Sequence, residues 1–545
     1  MNDSNLTKIR KALREELSRS LKSLKVPGHP RPYFLSYLIR DQKTLDLWAR
    51  YGSLCQNQND QKRMCYADVR VGGYRYDHVA NGGLSDNANE EGEGFELPDM
   101  PLEDNPDALK FCLWRLTDAR YRDAVKKYHE KRSRDISYLD ESKELASFSK
   151  MSKSVEVGKI KPAALHGEAM QEYIKAASLV FRDYPEIKNS YVEYSATHTT
   201  KVFSSTEGVE RVWQESVYGL TAYMWLHSKQ CNHDMTIAVH TPNFSQLPSL
   251  PVFKKSIESK LKLLHSLEKS DRMTSYAGPV LLAPQPAGLF LHEAIGHRLE
   301  GSRLLSNSEG KTFKDKVGTQ IMHPAISIYD DPTIKSYNGT DLVGTFPFDD
   351  EGTEAQRVCL VKEGYLTDFL NTRAPCRSAK YQMNGHARNQ TVERPISRMA
   401  NLIVESKGKL NFEQMKKRLI EEVVKRKLPY GVILYDVEGG ETGTESYNFQ
   451  AFLGEIMVAT KIYPNGKEQM VWGVDFVGTP LATLSQISEV GGDYVVDNSF
   501  CGAESGTIPV STVSPPILIN NLELQAKQSH NVTQYVLPLP WWDRG

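Results

Sequence analysis

Two histidines and a glutamate occupy one short apolar stretch of the sequence, residues 291–300. His292 and His297 lie five residues apart, and Glu293 directly follows the first of them. The histidines of the common zinc-protease helix lie four residues apart, so both rings leave the same helix face. At a spacing of five, the rings of a regular helix point about 140° apart. We therefore predict either a π-turn or a helix end at Gly296 that brings the two rings together.

A structural role competes with a metal site for these three residues. A single buried histidine is more often a hydrogen-bonded core residue than a ligand, and the spacing alone arises by chance in unrelated proteins. Burying His292, Glu293 and His297 together among apolar neighbours is costly unless something compensates them. A divalent cation would do so, and the segment therefore favours a metal site with its own base, Glu293.

The seven cysteines are further candidate ligands, and they are scattered along the chain at positions 55, 65, 112, 231, 359, 376 and 501. Their odd number and wide spacing do not resemble a disulfide framework, which favours a reducing compartment. A thiolate suits a borderline-soft cation, and Cys501 follows an apparent strand end. Residue types alone do not choose among the seven, because most free cysteines are small buried core residues.

The charge balance of the 545-residue chain argues against binding to polyanions through net charge. Lys and Arg total 67 against 68 Asp and Glu, so no net field recruits nucleic acid or an anionic membrane. The N-terminal residues lack an apolar signal core, and no apolar run approaches the roughly 20 residues of a membrane span. We therefore expect a cytoplasmic protein with no nucleic-acid and no membrane partner.

The length predicts two domains, because single hydrophobic cores stop growing at about 250 to 300 residues. We place the boundary near residues 241–275, which divides the chain into an N-terminal domain, 1–270, and a C-terminal domain, 271–545. The predicted fold class is α+β. It combines an N-terminal α/β domain with an antiparallel sheet and a mostly-β C-terminal domain that carries the metal-binding helix.

Apolar periodicity and turn residues assign the elements that position the motif. The predicted helices lie at 8–25, 108–150, 252–270 and 412–427. The predicted strands form an antiparallel meander between 190 and 240 and further strands at 276–282, 432–437, 452–461 and 471–477. An acidic, solvated loop is expected at 86–107, where Gly and Pro interrupt a run of carboxylates.

Several spaced motifs resemble those of the TldD/PmbA family of metalloproteases, also known as modulators of DNA gyrase, in its metal-bearing, TldD-like branch. The motifs follow the family's order and lie at residues 291–301, 349–353, 394–399, 497–502 and 508–510. The resemblance covers residues 276–525, whereas the N-terminal half matches poorly. Arg298 departs from the family's pattern, since a small residue is expected there.

The resemblance implies a zinc (Zn2+) site held by His292, His297 and Cys501, because the family's metal is bound by the two histidines of the motif and a cysteine near the C-terminus. Three protein ligands leave one position for a water molecule, whose pKa zinc lowers to about 7. Glu293 is then the general base. The resemblance further implies hydrolysis of extended or unfolded peptides, and assembly as a homodimer or as a heterodimer with a TldE-like subunit.

Other readings of the same residues stay open. One is a non-catalytic peptide-binding or partner subunit of a TldD/TldE-like complex, which the intact Glu293 disfavours. Ligand sets of two histidines and a cysteine also occur in zinc oxidoreductases, but no Gly-rich nucleotide loop follows a strand here. Arg394 and Arg398 are expected to pair with Asp349 or Asp350, or else to hold a peptide carboxylate.

Overall fold

The computed structural model describes residues 3–86, 99–137, 146–227, 232–306, 309–374, 382–444, 451–527, 537 and 539–540. The α-helices of these residues are α1 (Asp3–Ser23), α2 (Pro106–Ser137), α3 (Gly167–Ser178), α4 (Leu250–Glu268), α5 (Pro284–Leu291), α6 (Gly301–Leu305), α7 (Phe412–Lys425) and α8 (Pro480–Leu484). The four predicted helices are confirmed in α1, α2, α4 and α7. The predicted end of the second helix at 150 is wrong, because residues 146–150 are not helical.

A six-stranded sheet dominates the N-terminal half. Its strands are β1 (Pro32–Arg50), β2 (Ser53–Val71), β3 (Ser154–Val157), β4 (Ile187–Ser205), β5 (Val209–His227) and β6 (Asn232–Thr241). The strand order is β2-β1-β4-β5-β3, and β6 also pairs with β5. The predicted antiparallel meander is confirmed in β4, β5 and β6. Most of the acidic loop predicted at 86–107 lies outside the described residues.

Successive side chains of the long strands point alternately to the two faces of this sheet. Leu35, Tyr37, Leu45 and Leu47 of β1 share one face and are buried. At one end of the strands this face packs against α1 and α2, and at the other end against α3 and α4. The opposite face carries Leu38, which belongs to a hydrophobic cluster with Phe348 of the C-terminal half.

The C-terminal half is built mainly from strands, which are β7 (Asp271–Arg272), β8 (Tyr276–Leu282), β9 (Ile326–Asp330), β10 (Ser336–Tyr337), β11 (Thr340–Asp341), β12 (Val358–Lys362), β13 (Tyr365–Leu366), β14 (Ala387–Arg388), β15 (Ile396–Ser397), β16 (Asn401–Ser406), β17 (Gly431–Thr442), β18 (Phe452–Ile462), β19 (Glu468–Trp472), β20 (Val474–Gly478), β21 (Ile487–Val490), β22 (Val495–Ala503), β23 (Gly506–Ser514) and β24 (Ile517–Ala526). The predicted strand at 276–282 is confirmed as β8. The strand predicted at 471–477 is instead two, β19 and β20, because Gly473 between them adopts a φ of 85°.

These strands form two large sheets. The eight-stranded sheet has the order β17-β8-β24-β20-β18-β19-β7, with β21 on β24, and a further pairing of β17 with β18 closes a ring of five strands. The six-stranded sheet has the order β13-β12-β9-β16-β23-β22. α5 packs between the two sheets, against β17 on one side and against β22 and β23 on the other. The end of α5 is therefore enclosed by strands of both sheets.

The predicted mixture of helices and sheets is confirmed, whereas the division into 1–270 and 271–545 stays a prediction. The hydrophobic core around β4 and β5 includes Val458 of β18, so side chains of the two halves share a core. Among the described residues, every helix is too short or too polar to cross a membrane.

Candidate metal centre

The backbone between the two histidines contains the predicted π-turn. α5 ends at Leu291, and His292–Gly296 forms a π-helical turn that a 3-10 turn, His297–Leu299, follows. The His297 N–H donates to the carbonyl oxygen of His292, five residues back. This wider turn absorbs the extra residue, so both rings leave the same side. Their centroids lie 4.9 Å apart.

Gly296 allows this turn to lie close to the neighbouring sheet. Its φ of −53° and ψ of −59° are ordinary helical values, so the position does not need the conformational freedom of glycine. A Cβ atom there would overlap the sulfur atom of Met399. The absence of a side chain at Gly296 is therefore a packing requirement, and it fixes the depth at which the histidines sit.

The Cys501 thiol lies between the two histidines. Its Sγ atom is 3.3 Å from Nε2 of His292 and 3.4 Å from Nε2 of His297. The three atoms lie within 4.8 Å of one another, and all three residues are buried. Nitrogen and sulfur ligands of a tetrahedral zinc ion lie about 3.5 Å apart, given metal bonds of about 2.0 and 2.3 Å. The three predicted ligands therefore fit one metal ion.

The remaining cysteines do not join this group. Cys55, Cys65, Cys112 and Cys359 are free thiols, and they belong to no metal-ligating cluster in the described part of the chain. Cys231 and Cys376 lie outside the described residues. Cys501 comes into position because β22 passes beside α5, although it is 209 residues from His292 in the sequence.

Glu300 orients the second histidine from behind. Its carboxylate lies 3.3 Å from Nδ1 of His297 and accepts from Nε of Arg303 at 3.0 Å. Burial opposes the ionisation of Glu300, but His297 and Arg303 outweigh burial and lower its pKa to about 2. A proton on Nδ1 held by this carboxylate would leave Nε2 to bind a metal ion, which is the usual arrangement behind a metal-binding histidine.

The electrostatics of the three candidate ligands favour a cation. Burial raises the pKa of the Cys501 thiol, but the attraction of His297 and His292 is stronger and holds that pKa well below its usual value. Burial likewise opposes protonation of His297, yet Cys501 and Glu300 raise its pKa well above the ordinary value. The thiolate therefore requires nearby positive charge, which protons on the histidines or a bound metal ion would supply.

The structure assigns other partners to the two arginines near β15. Arg394 donates to Asp68 at 3.0 Å, and the predicted pairing with Asp349 or Asp350 is wrong. Arg398 turns instead toward the hairpin of β22 and β23. Arg394 and Arg398 belong to one sequence motif, but in the fold they have different partners.

Arg398 supports the strand that carries the candidate thiolate. It is fully buried and donates to the carbonyl oxygen of Cys501 at 2.6 Å, to Ser505 Oγ at 3.1 Å and to the Gly506 carbonyl at 2.9 Å. These bonds hold the end of β22 beside the π-turn. Sequence reasoning missed this role, because no local pattern links an arginine to a backbone carbonyl about a hundred residues away.

A cavity of about 400 Å³ opens beside the cluster. Its walls come from α5 with the π-turn, from β17 and from β22, and its lining residues are Gln285, Leu289, His292, Glu293, His297, Arg303, Val437, Glu438, Gly439, Gly440, Glu441, Thr442, Thr444, Asp497, Ser499, Phe500, Cys501, Gly502, Ala503, Glu504 and Thr512. Glu293 is buried and faces β17. A Cβ atom on Gly440 would lie 3.1 Å from Cγ of Glu293, so β17 passes directly over the predicted base.

Comparison with known proteins identifies the class of protein. Residues 275–526 match the family model of the PmbA/TldA metallopeptidase C-terminal domain. Residues 275–526 therefore belong to the TldD/PmbA family. The matched residues include His292, Glu293, His297 and Cys501, together with both large sheets of the C-terminal half except β7.

Individual relatives share only moderate sequence identity with the chain. The chain is 30% identical over 260 residues to a metalloprotease of Methanothermobacter thermautotrophicus, which covers 47% of this chain and 53% of that one. It is 23% identical to a zinc metalloprotease TldD homolog of Saccharolobus solfataricus, over 66% of this chain and 76% of that one. The chain spans about half the length of the first curated relatives it matches.

The fold is also found in a solved structure. TldE from Thermococcus kodakarensis superimposes with a TM-score of 0.60 over 95% of this chain and 100% of that chain, at 13% sequence identity. At this identity the likeness concerns the fold alone, and it extends over the N-terminal half that the sequence motifs did not reach.

Proposed function

We propose that the chain is a zinc-dependent peptidase that hydrolyses peptide bonds of extended or unfolded peptides. The observation that carries this proposal is the convergence of Nε2 of His292, Nε2 of His297 and Sγ of Cys501 at a cavity that Glu293 also lines. The metalloprotease names of the relatives support it. Zinc agrees with the ligand types and with the name of the Saccharolobus solfataricus relative.

The number of ligands favours catalysis over a structural metal. Structural zinc sites are closed by four protein ligands, whereas catalytic sites use three and keep one position open. Here, among the residues that the structure describes, three candidate ligands meet at the wall of a cavity of about 400 Å³. The remaining direction is thus available to water and substrate.

Each residue of the site has a role in the proposed reaction. A bound zinc ion would make a water molecule acidic near neutral pH and polarise the scissile carbonyl. The Glu293 carboxylate takes the proton from this water and transfers it to the leaving amide nitrogen. Glu300 holds His297 in the required tautomer, and Arg398 holds the backbone of Cys501.

The walls of the cavity suggest the kind of peptide that binds. β22 pairs with β23 on one side within the described residues, and an extended peptide can add to such an edge as a further strand. Glu438, Glu441 and Asp497 line the cavity, and their carboxylates favour basic over acidic substrate side chains. We therefore expect Lys- or Arg-containing peptides to show a lower KM than Glu-containing ones.

A second candidate is a non-catalytic peptide-binding or partner subunit of a TldD/TldE-like complex. The shared fold with TldE favours it, and it agrees with assembly as a heterodimer with a TldE-like chain. A homodimer of catalytic chains is the corresponding assembly for the peptidase.

Zinc content and cleavage of unfolded peptides, measured together, separate the two candidates. The peptidase predicts cleavage that a chelator abolishes and zinc restores, and loss of both zinc and cleavage in His292→Ala. His198→Ala, a half-buried histidine on the N-terminal sheet, should keep both. Zinc binding without any cleavage would favour the partner subunit, and cleavage without metal would contradict the proposal.

A further inference from the structure

Arg298 connects two walls of the cavity. It directly follows His297 and is 5% exposed. One terminal nitrogen donates to the carbonyl oxygen of Glu293 at 2.7 Å and to Thr442 Oγ1 at 2.6 Å. The other donates to the carbonyl oxygen of Gly443 at 3.0 Å. The guanidinium therefore ties the π-turn to the end of β17.

The tie acts on the segment that carries the predicted base. Glu293 belongs to the π-turn, and β17 passes over its side chain at Gly440. A guanidinium offers its donors in a rigid planar fork, so it fixes the separation of the groups that it bridges. A lysine ammonium could reach one of these groups but not hold the same spacing. The guanidinium thus contributes to the spacing between the π-turn and β17 at Glu293.

A neighbouring arginine shows a different use of the same side chain. Arg303 pairs with the carboxylates of Glu300, Glu309 and Glu504 at 2.9 to 3.1 Å, so it joins charges behind the histidines. Arg298 donates to two backbone carbonyls and a hydroxyl group that belong to opposite walls. Its contacts with the base segment and with β17 do not involve the side chain of a predicted metal ligand.

We propose that Arg298 is a positioning residue, which sets where Glu293 stands relative to the peptide and the metal ligands. This inference rests on the proposed peptidase function. A displacement of about 1 Å in a reacting group can reduce a rate by about 100-fold. Loss of the bridge therefore lowers kcat, while His292, His297 and Cys501 keep their contacts and zinc affinity changes little.

Four variants test the bridge from both ends. Arg298→Gln should lower kcat by about 10- to 100-fold, and Arg298→Lys should recover only part of it. Thr442→Val removes one acceptor with little change of shape and should lower kcat by about 3- to 10-fold, whereas Thr442→Ser keeps the hydroxyl group and should match the unaltered protein. Zinc affinity, measured by chelator competition, should stay within about 3-fold throughout.

Hydrogen–deuterium exchange supplies a measurement that does not depend on activity. The amides of residues 292–298 should exchange faster in Arg298→Gln and in Thr442→Val, and at the unaltered rate in Thr442→Ser. The double variant Arg298→Gln/Thr442→Val should lose less kcat than the product of the two single losses, because both remove the same bridge.

Three results would overturn the inference. They are an unchanged kcat in Arg298→Gln at full zinc occupancy, a fall in zinc affinity that accounts for the fall in kcat, and equal kcat and exchange in the two Thr442 variants. If Arg298→Gln does not fold, the Thr442 pair decides. Absence of cleavage by the unaltered, zinc-loaded protein would instead contradict the proposed function, and the inference would fall with it.

Discussion

Two buried polar clusters of this chain differ in how their buried charges are compensated. In the first, the arginine cluster, Arg70 lies 2.7 Å from Asp68, 2.9 Å from Asp77 and 3.7 Å from Glu351. The second, the candidate metal centre, comprises His292, His297 and Cys501. Both clusters are almost inaccessible to solvent. Burial of ionisable groups therefore does not by itself distinguish a functional site from a structural one.

The difference lies in what compensates the buried charge. In the arginine cluster, burial raises the pKa of Asp68, but Arg70 and Arg394 outweigh burial and hold that pKa well below its ordinary value. An arginine is always charged, so the chain supplies its own counter-ions. In the metal centre, lone pairs of Cys501 and the histidines converge, and their charge balance depends on protons or on a cation. Lone pairs that converge beside a cavity therefore indicate a candidate metal-binding site, whereas the arginine cluster has no need of a bound cation.

Removal of the thiolate should have the largest effect. Cys501→Ala takes away the sulfur ligand, and we expect loss of zinc and a fall of peptide cleavage to background. Cys65→Ala is the matched control, because Cys65 is fully buried in the core around α1 and α2, remote from the cavity. It should lower the free energy of unfolding and keep zinc and cleavage. Zinc retained in Cys501→Ala would show that other ligands hold the metal.

Breaking the arginine cluster should affect stability alone. Arg70→Met leaves buried carboxylates without their partner, and we expect the free energy of unfolding to fall by about 3 to 5 kcal/mol. The exposed pair of Arg122 and Asp118 gives the control, since Arg122→Met should cost less than about 1 kcal/mol. Denaturant titration measures both. Loss of zinc or of kcat per folded chain in Arg70→Met would contradict the contrast between the clusters.

Glu300 should affect the metal centre without removing a ligand. Glu300→Gln weakens the support of His297, and we expect zinc affinity to fall by about 10- to 100-fold. The lowered pKa of Glu300, about 2, means that its carboxylate stabilises the fold above the ordinary glutamate pKa, and that this contribution is lost as pH falls toward 2. Glu300 stays ionised from about pH 6 to 8, so its own titration adds no pH dependence there. Equal zinc affinities of the two proteins at about pH 8 would contradict the account.

Two adjacent glycines of β17 offer the smallest and most local test. A Cβ atom on Gly440 would lie 2.9 Å from the carbonyl oxygen of Leu453 and 3.1 Å from Cγ of Glu293, whereas a Cβ atom on Gly439 meets nothing within 4 Å. We expect Gly440→Ala to lower kcat by on the order of 10-fold and Gly439→Ala to leave it unchanged. Equal kcat values in the two variants would show that β17 does not constrain Glu293.

The sequence predicted the local geometry of the metal centre better than its assembly. Five-residue spacing of His292 and His297 demanded a wider turn, because helix periodicity fixes where side chains point. Bare sequence could not select Cys501, since the thiol reaches the histidines only through the pairing of β22 with β23. The family resemblance supplied that residue, and the geometry agrees with it.

Two of the four longest strands of the N-terminal half, β1 and β2, were missed for a related reason. β1 and β2 contain polar runs at residues 41–44 and 56–63 that break the apolar alternation of a strand. In the fold, β1 pairs along most of its length with both β2 and β4, and this pairing satisfies its backbone. Such strands depend on distant partners, and a local pattern does not reveal them.

The most direct test of the central claim is the zinc content and the peptide cleavage rate of the same samples of the unaltered protein and Glu293→Gln. The substitution keeps the shape of the side chain and removes its basicity. The account predicts about one zinc ion per chain in both proteins and a kcat at least about 100-fold lower in Glu293→Gln. Equal cleavage by the two proteins, or no zinc in the unaltered one, would contradict it.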